Sequence, residues 1–168
     1  MKKAILSLLV SAVCATSMTA QTTETTQQQD PDSLYTTSLL TVGTEAPQLE
    51  GVVKGKWNVV DFWATWCPDC RREIPTMKAL YEKYGKQVNF LGVSFDMNHD
   101  ALDKYVEENG IKWQQICQLK KMKDSETAKA FGIKWIPSLY LISPDGKVAY
   151  TTVVTERIGK KLEEICKD

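Results

Sequence analysis

"FWATWCPDCRREIP", residues 62–75, decides how the rest of this chain is read. It continues an apolar, β-branched and aromatic run, "WNVVDFWA", that ends at Ala64. Such a run predicts a strand buried on both faces, as in the middle of a sheet. Pro68 then suits the first turn of a helix, where its missing N–H is no loss. Ile74, Met77, Leu80, Tyr81 and Tyr84 recur at helical spacing, Gly85 marks the stop, and Pro75 is expected to kink the helix. Cys67 therefore falls at a strand-to-helix junction. Unpaired N–H groups and the positive end of the helix dipole favour a thiolate there. Cys70 lies at i+3, so the two sulfurs can meet on one face. Dithiol–disulfide exchange needs this arrangement, with Cys67 the more exposed, attacking thiol and Cys70 the more enclosed, resolving one.

Other uses of a two-residue cysteine spacing fit less well. Haem attachment requires a histidine after the second cysteine, where this chain has Arg71. A structural zinc site needs two further ligands, but the sole histidine is His99 and there is no second cysteine pair. A plain staple closing so short a loop constrains the unfolded chain little.

The chain has 168 residues, 43% hydrophobic and 25% charged, enough for one domain with a real core. Lys+Arg and Asp+Glu both number 21 and no basic run stands out, which excludes nucleic acid as an expected partner. Residues 1–20, "MKKAILSLLVSAVCATSMTA", have two lysines, a short apolar run and a small-residue end, the layout of a secretory signal peptide. Cleavage after Ala20 removes two lysines and no acids, leaving 19 basic against 21 acidic residues, net −2. An alternative is a lipoprotein signal with Cys14 as the lipidated residue, which would tether the protein to a membrane. Residues 21–40 are Thr/Gln-rich and carry too few apolar groups to offset ordering, so a flexible leader is expected.

The domain is expected over residues 41–168. A short strand is plausible within residues 41–53, and residues 88–95 and 111–119 are further strand candidates. "HDALDKYVEENG" and "DSETAKAFG" predict helices that stop at Gly110 and Gly132, the second capped by Asp124 or Ser125. "SLYLISPDGKVAYTTVV" predicts two strands around Pro144-Asp145-Gly146, and "TERIGKKLEEICKD" a terminal amphipathic helix. Together these give an α/β fold with a central mixed sheet flanked by helices.

"VVDFWATWCPDCRREIP" resembles the active-site stretch of the thioredoxin superfamily. With "VGTEAP" as domain start and "FGIKWIPSLYLISPDGKV" as cis-proline strand and hairpin, the pattern resembles the exported TlpA/ResA-type thiol-disulfide oxidoreductases from about residue 42 to the C-terminus. The resemblance implies a thioredoxin-like fold with a helix and strand inserted before the cis-proline half. One departure is the short link from Ala46-Pro47 to Trp57, which leaves little room for the family's N-terminal hairpin.

The resemblance also implies roles. Pro137 matches the cis-proline, and the backbone of Ile136 before it could pair with a substrate strand by β-augmentation. Asp61 matches the buried acid of the active-site strand. A carboxylate in an apolar run has its pKa raised, which suits a proton partner for Cys70. Glu73 matches an acid that tunes the thiols, though an acid early in a helix is also favoured by the dipole alone. Trp66 and Trp135 are expected to form an apolar rim that docks protein partners, and Trp63 to pack in the core. Arg71 and Arg72 favour a thiolate at Cys67 while Asp69 opposes it. Cys117 and Cys166 either form a second bridge or remain thiols.

The expected activity is exchange of disulfides with exported, periplasmic protein substrates, more as a reductant, without cofactor or metal, and with a membrane electron donor upstream. The alternatives are a thiol peroxidase, whose Pro-x-x-x-Thr-x-x-Cys pattern this chain lacks because Thr65 is two residues from Cys67, and a non-enzymatic binding module.

Overall fold

The computed structural model describes residues 29–167. The expected signal peptide, with Cys14, and residues 21–28 of the expected leader lie outside the described residues. A five-stranded sheet has the order β3-β2-β1-β4-β5. Strand β1 (Asn58–Trp63) sits at its centre and is buried along its whole length, as its largely apolar pattern predicts. It pairs parallel with β2 (Asn89–Ser94) and antiparallel with β4 (Ser138–Ile142). Strand β3 (Gln114–Cys117) continues the sheet parallel to β2, and β5 (Val148–Thr152) closes the other edge antiparallel to β4.

Alternation along β1 divides the core in two. Val59 and Trp63 face a core shared with Ile74 and Met77 of α2 (Pro68–Tyr84), Leu102 of α3 (His99–Glu108), and Ile158 and Leu162 of α5 (Thr155–Ile165). Val60 and Phe62 face the other, with Ala128 of α4 (Glu126–Ala130), Phe131 and Tyr140. Each of the Val, Leu, Ile, Met and Phe side chains so removed from water contributes about 1.5–3 kcal/mol. The insertion before the cis-proline half is α3 and β3, hung on one edge of the sheet. Ser125 caps α4 by accepting from the Ala128 N–H at 3.1 Å. No helix among the described residues is long and apolar enough to cross a membrane.

Two expectations fail at the N-terminal side. No strand forms within residues 41–53. That segment is loop, held against β5 by one bridge, Glu45 to Lys147, and by backbone hydrogen bonds of Gly43 and Thr44 with Val148, so the short link before Trp57 holds no hairpin. The expected leader, where described, is instead ordered. Pro31–Tyr35 form the helix α1, capped by the Asp30 carboxylate. Beyond α1, the Leu40 N–H donates to the Tyr140 hydroxyl at 2.9 Å, and that hydroxyl donates to the Phe131 carbonyl. A Cβ at Gly132 would lie 2.0 Å from the Ser38 carbonyl oxygen, so glycine there lets the segment lie flat on the domain. Polar contacts and close backbone approach join the burial of Leu39 in ordering this stretch.

Candidate active site

Strands β1 and β4 run antiparallel, with Phe62 opposite Ser138. The chain leaving β1 and the chain entering β4 therefore meet at one end of the sheet. Cys67 lies on the first and Pro137 on the second. Cys67 and Cys70 are joined in a disulfide, with Cα atoms 5.3 Å apart. The Cys67 Sγ is 3.6 Å from the Ile136 carbonyl oxygen, and the Ile136–Pro137 bond is cis. Both halves of the predicted site are thus in contact.

Cys67 is the N-cap of α2, and its Sγ accepts from the Cys70 N–H at 3.1 Å. Sulfur takes the place a Ser or Asp oxygen usually fills at a helix start, so the helix end that stabilises an anion points at this atom. The expected difference in exposure is slight: Cys67 is 5% exposed and Cys70 3%. Position at the helix end, rather than exposure, distinguishes them in the disulfide form. Arg72 pairs with Asp69, so their opposed influences on Cys67 largely cancel, while Arg71 reaches over the Tyr105 ring.

Asp61 is buried, 7% exposed, and by alternation faces the core that α2 covers. Its carboxyl makes no hydrogen bond or ion pair with another described residue. Burial is the main cause, and the nearby Glu73 charge the lesser, that push its pKa up to about 7. Sequence reasoning foresaw the burial but not the electrostatic link between the two acids. Glu73, half-buried on α2, accepts from the Thr155 N–H at 3.1 Å. It caps α5 from another helix, since the N-cap residue Val154 has no side-chain acceptor.

Trp66 and Trp135 are both exposed and line different clefts. Trp66 lines a cleft with Phe95, Met97 and Met122, flanked by Lys121 and Lys123. Trp135 lines a different one with Ile136, Pro137 and Glu73. Trp63 is in the core, and its indole N–H donates to Gln115 Oε1 at 2.9 Å. Cys117 is not bonded to Cys166; its Sγ donates to the Asp96 carbonyl at 3.3 Å.

Asp96 was not anticipated. It is buried just past β2 and accepts from the Thr65 N–H at 3.0 Å, the Thr65 hydroxyl at 2.7 Å and the Ser94 hydroxyl. Thr65 is the second residue before Cys67, so Asp96 anchors the turn that presents the disulfide. The signal was an acid directly after the apolar run "FLGVSF", at the end of a strand parallel to the active-site strand.

Residues 34–151 match the model of the AhpC/TSA family. The chain is 33% identical over 138 residues to the thiol-disulfide oxidoreductase ResA of Bacillus thuringiensis subsp. konkukian (strain 97-27), covering 75% of this chain and 77% of the relative. Among solved structures, the thioredoxin domain of a thiol-disulfide oxidoreductase from Bacteroides vulgatus superposes with a TM-score of 0.68 at 27% identity, over 76% of this chain and 99% of that one. A thiol:disulfide interchange protein from Bacteroides sp. superposes with a TM-score of 0.65 at 28% identity, over 76% of this chain and 90% of that one.

Proposed function

The chain belongs to the AhpC/TSA family and is ResA-like with a thioredoxin fold, a thiol-disulfide oxidoreductase, and we propose that it reduces disulfides in exported proteins through Cys67 and Cys70. The observation that carries this reading is the Cys67 sulfur at the start of α2, bonded to Cys70 and 3.6 Å from the Ile136 carbonyl beside the cis bond.

In the reduced protein the Cys67 thiolate attacks one sulfur of a substrate disulfide. A mixed disulfide forms and the other substrate sulfur leaves as a thiolate. Asp61, with a pKa near neutrality, takes the proton from Cys70. The Cys70 thiolate attacks the Cys67 sulfur, releasing the second substrate thiolate. Two electrons have then passed to the substrate and the protein holds the Cys67–Cys70 disulfide. An upstream membrane donor of two electrons, which exchanges thiols with this disulfide, returns it to the dithiol. The Ile136 backbone offers an edge on which an extended substrate segment can align. The signal-like residues 1–20 support export to the periplasm.

Cys70→Ser leaves the attacking thiol and removes the resolving one. It is expected to accumulate a mixed disulfide with a protein substrate, seen as a reducible adduct on a non-reducing gel, while Cys67→Ser gives none. A Cys70→Ser protein that forms no adduct, together with a wild type unable to reduce insulin, would show the reading to be wrong.

A further inference from the structure

Helix α1 stands beside the cis-proline, and its attachment is specific. The Asp32 carboxylate accepts from the Thr152 hydroxyl and from the Val153 N–H, both at 2.8 Å, and pairs with Arg157. Asp30 holds the same guanidinium at 2.7 Å. Two carboxylates thus grip one arginine at the start of α5, and one of them also takes the backbone donor at the end of β5. At the other end of α1, the Tyr35 ring meets Trp135 edge-on at 5.2 Å. Between these anchors lies a cleft of about 380 Å³ whose lining includes Pro31, Tyr35, Trp135, Ile136, Pro137 and Val153. The cleft adjoins the disulfide through Ile136.

We propose that α1 is the outer wall of the substrate groove, and that Tyr35 with Trp135 selects an extended segment carrying an aromatic or large aliphatic side chain next to its reacting cysteine. This rests on the exchange reading above. The occupant follows from continuity and chemistry. A segment in mixed disulfide with Cys67 and aligned along Ile136 runs into this cleft, whose α1 and cis-proline sides are ring and branched aliphatic carbon, while Asp69, Arg72 and Glu73 line its α2 side. Asp32 and Arg157 are positioning residues: they fix the wall and do not touch the segment. The Val153 N–H is already bonded to Asp32, so a substrate gains apolar contact on this side rather than a second backbone hydrogen bond.

The test uses three disulfides against pre-reduced protein in single turnover, followed by tryptophan fluorescence. Two are peptides whose lone cysteine is a mixed disulfide with glutathione, one with phenylalanine beside the cysteine and one with serine. The third is hydroxyethyl disulfide, too small to reach Tyr35, which serves as the reference rate. Wild type is expected to favour the phenylalanine peptide about tenfold over the serine peptide, as partial burial of one ring allows. Tyr35→Ala is expected to cut that ratio to about twofold, Tyr35→Phe to retain it, and Asp32→Ala to reduce it as well. No preference in wild type, or an unchanged preference in both Tyr35→Ala and Asp32→Ala, would overturn the wall. A rise in both peptide rates relative to hydroxyethyl disulfide would also overturn it, by making α1 a plug. A wild type inert toward all three disulfides would overturn the exchange reading itself and this inference with it.

Discussion

Asp61, on β1, and Asp96, just past the end of the neighbouring parallel strand β2, are the same side chain at similar depth, 7% and 3% exposed. They differ in company. Asp96 accepts from Thr65 twice and from Ser94, whereas Asp61 has no hydrogen-bonding partner among the described residues and a second acid, Glu73, near it. Water is lost at both sites, but only at Asp96 do protein donors replace it. A buried carboxyl with donors anchors a turn, whereas one without them has its charged form penalised and becomes a proton carrier near neutral pH. Depth alone therefore does not identify a reactive acid.

The sharpest way to break this contrast is kinetic. Asp61→Asn removes the proton acceptor and is expected to slow resolution of a mixed disulfide by about 10²–10⁴, the range for general base catalysis. Asp96→Asn, which keeps an acceptor for Thr65, is expected to slow it less than tenfold. Equal losses in stopped-flow measurements would erase the distinction.

Stability separates the pair next. The Asp61 pKa is raised from 3.8 to about 7 on folding. Between those values the folded state holds a proton that the unfolded state has lost, so stability falls as pH rises from about 4 to 7 and then levels. The full penalty is about 4 kcal/mol. Asp61→Asn should recover most of it at pH 8 and almost none below pH 4, as read from denaturant melts of the oxidised protein. Asp96→Ala should do the reverse at both pH values, costing about 3 kcal/mol by stranding the Thr65 and Ser94 donors. The smallest effect is expected for Glu73→Gln. It keeps an acceptor for the Thr155 N–H and should change stability by less than about 1 kcal/mol. It also removes the lesser cause of the raised Asp61 pKa, so the pH-rate midpoint should move down yet stay above the ordinary carboxylate range. A midpoint that does not move would mean that Glu73 and Asp61 do not sense each other.

Much of this was legible in the sequence because it depends on local pattern. The run at residues 57–64, the turn at Pro68 and the spacing of Cys67 and Cys70 place a cysteine pair at a strand-to-helix junction, and the lack of further metal ligands in the sequence makes it a redox pair. Family resemblance supplied the cis bond at Pro137, which spacing cannot. What escaped depends on contacts between distant residues. Asp32 reads as a polar residue in a Thr/Gln-rich leader until Thr152 and Arg157 are seen beside it. Asp96 reads as a strand-end acid until the parallel pairing of Trp63 with Ser94 brings it under Thr65. Trp66 and Trp135 flank the same chemistry, yet only the fold shows that they serve separate clefts.

The clamp on α1 also sets an order in time. Asp30 and Asp32 precede the whole sheet in the chain, while Thr152 is the last residue of its last strand and Val153 and Arg157 follow it. Synthesis from the N-terminus delivers the clamp's two halves on either side of the cysteines, Asp30 and Asp32 before them and Thr152 to Arg157 after. A chain cut short after β4 would have Cys67, Cys70 and Pro137 but nothing for Asp32 to grip. The groove acquires its outer side only once the molecule is whole, so discrimination among substrates arrives after the reactive sulfurs do.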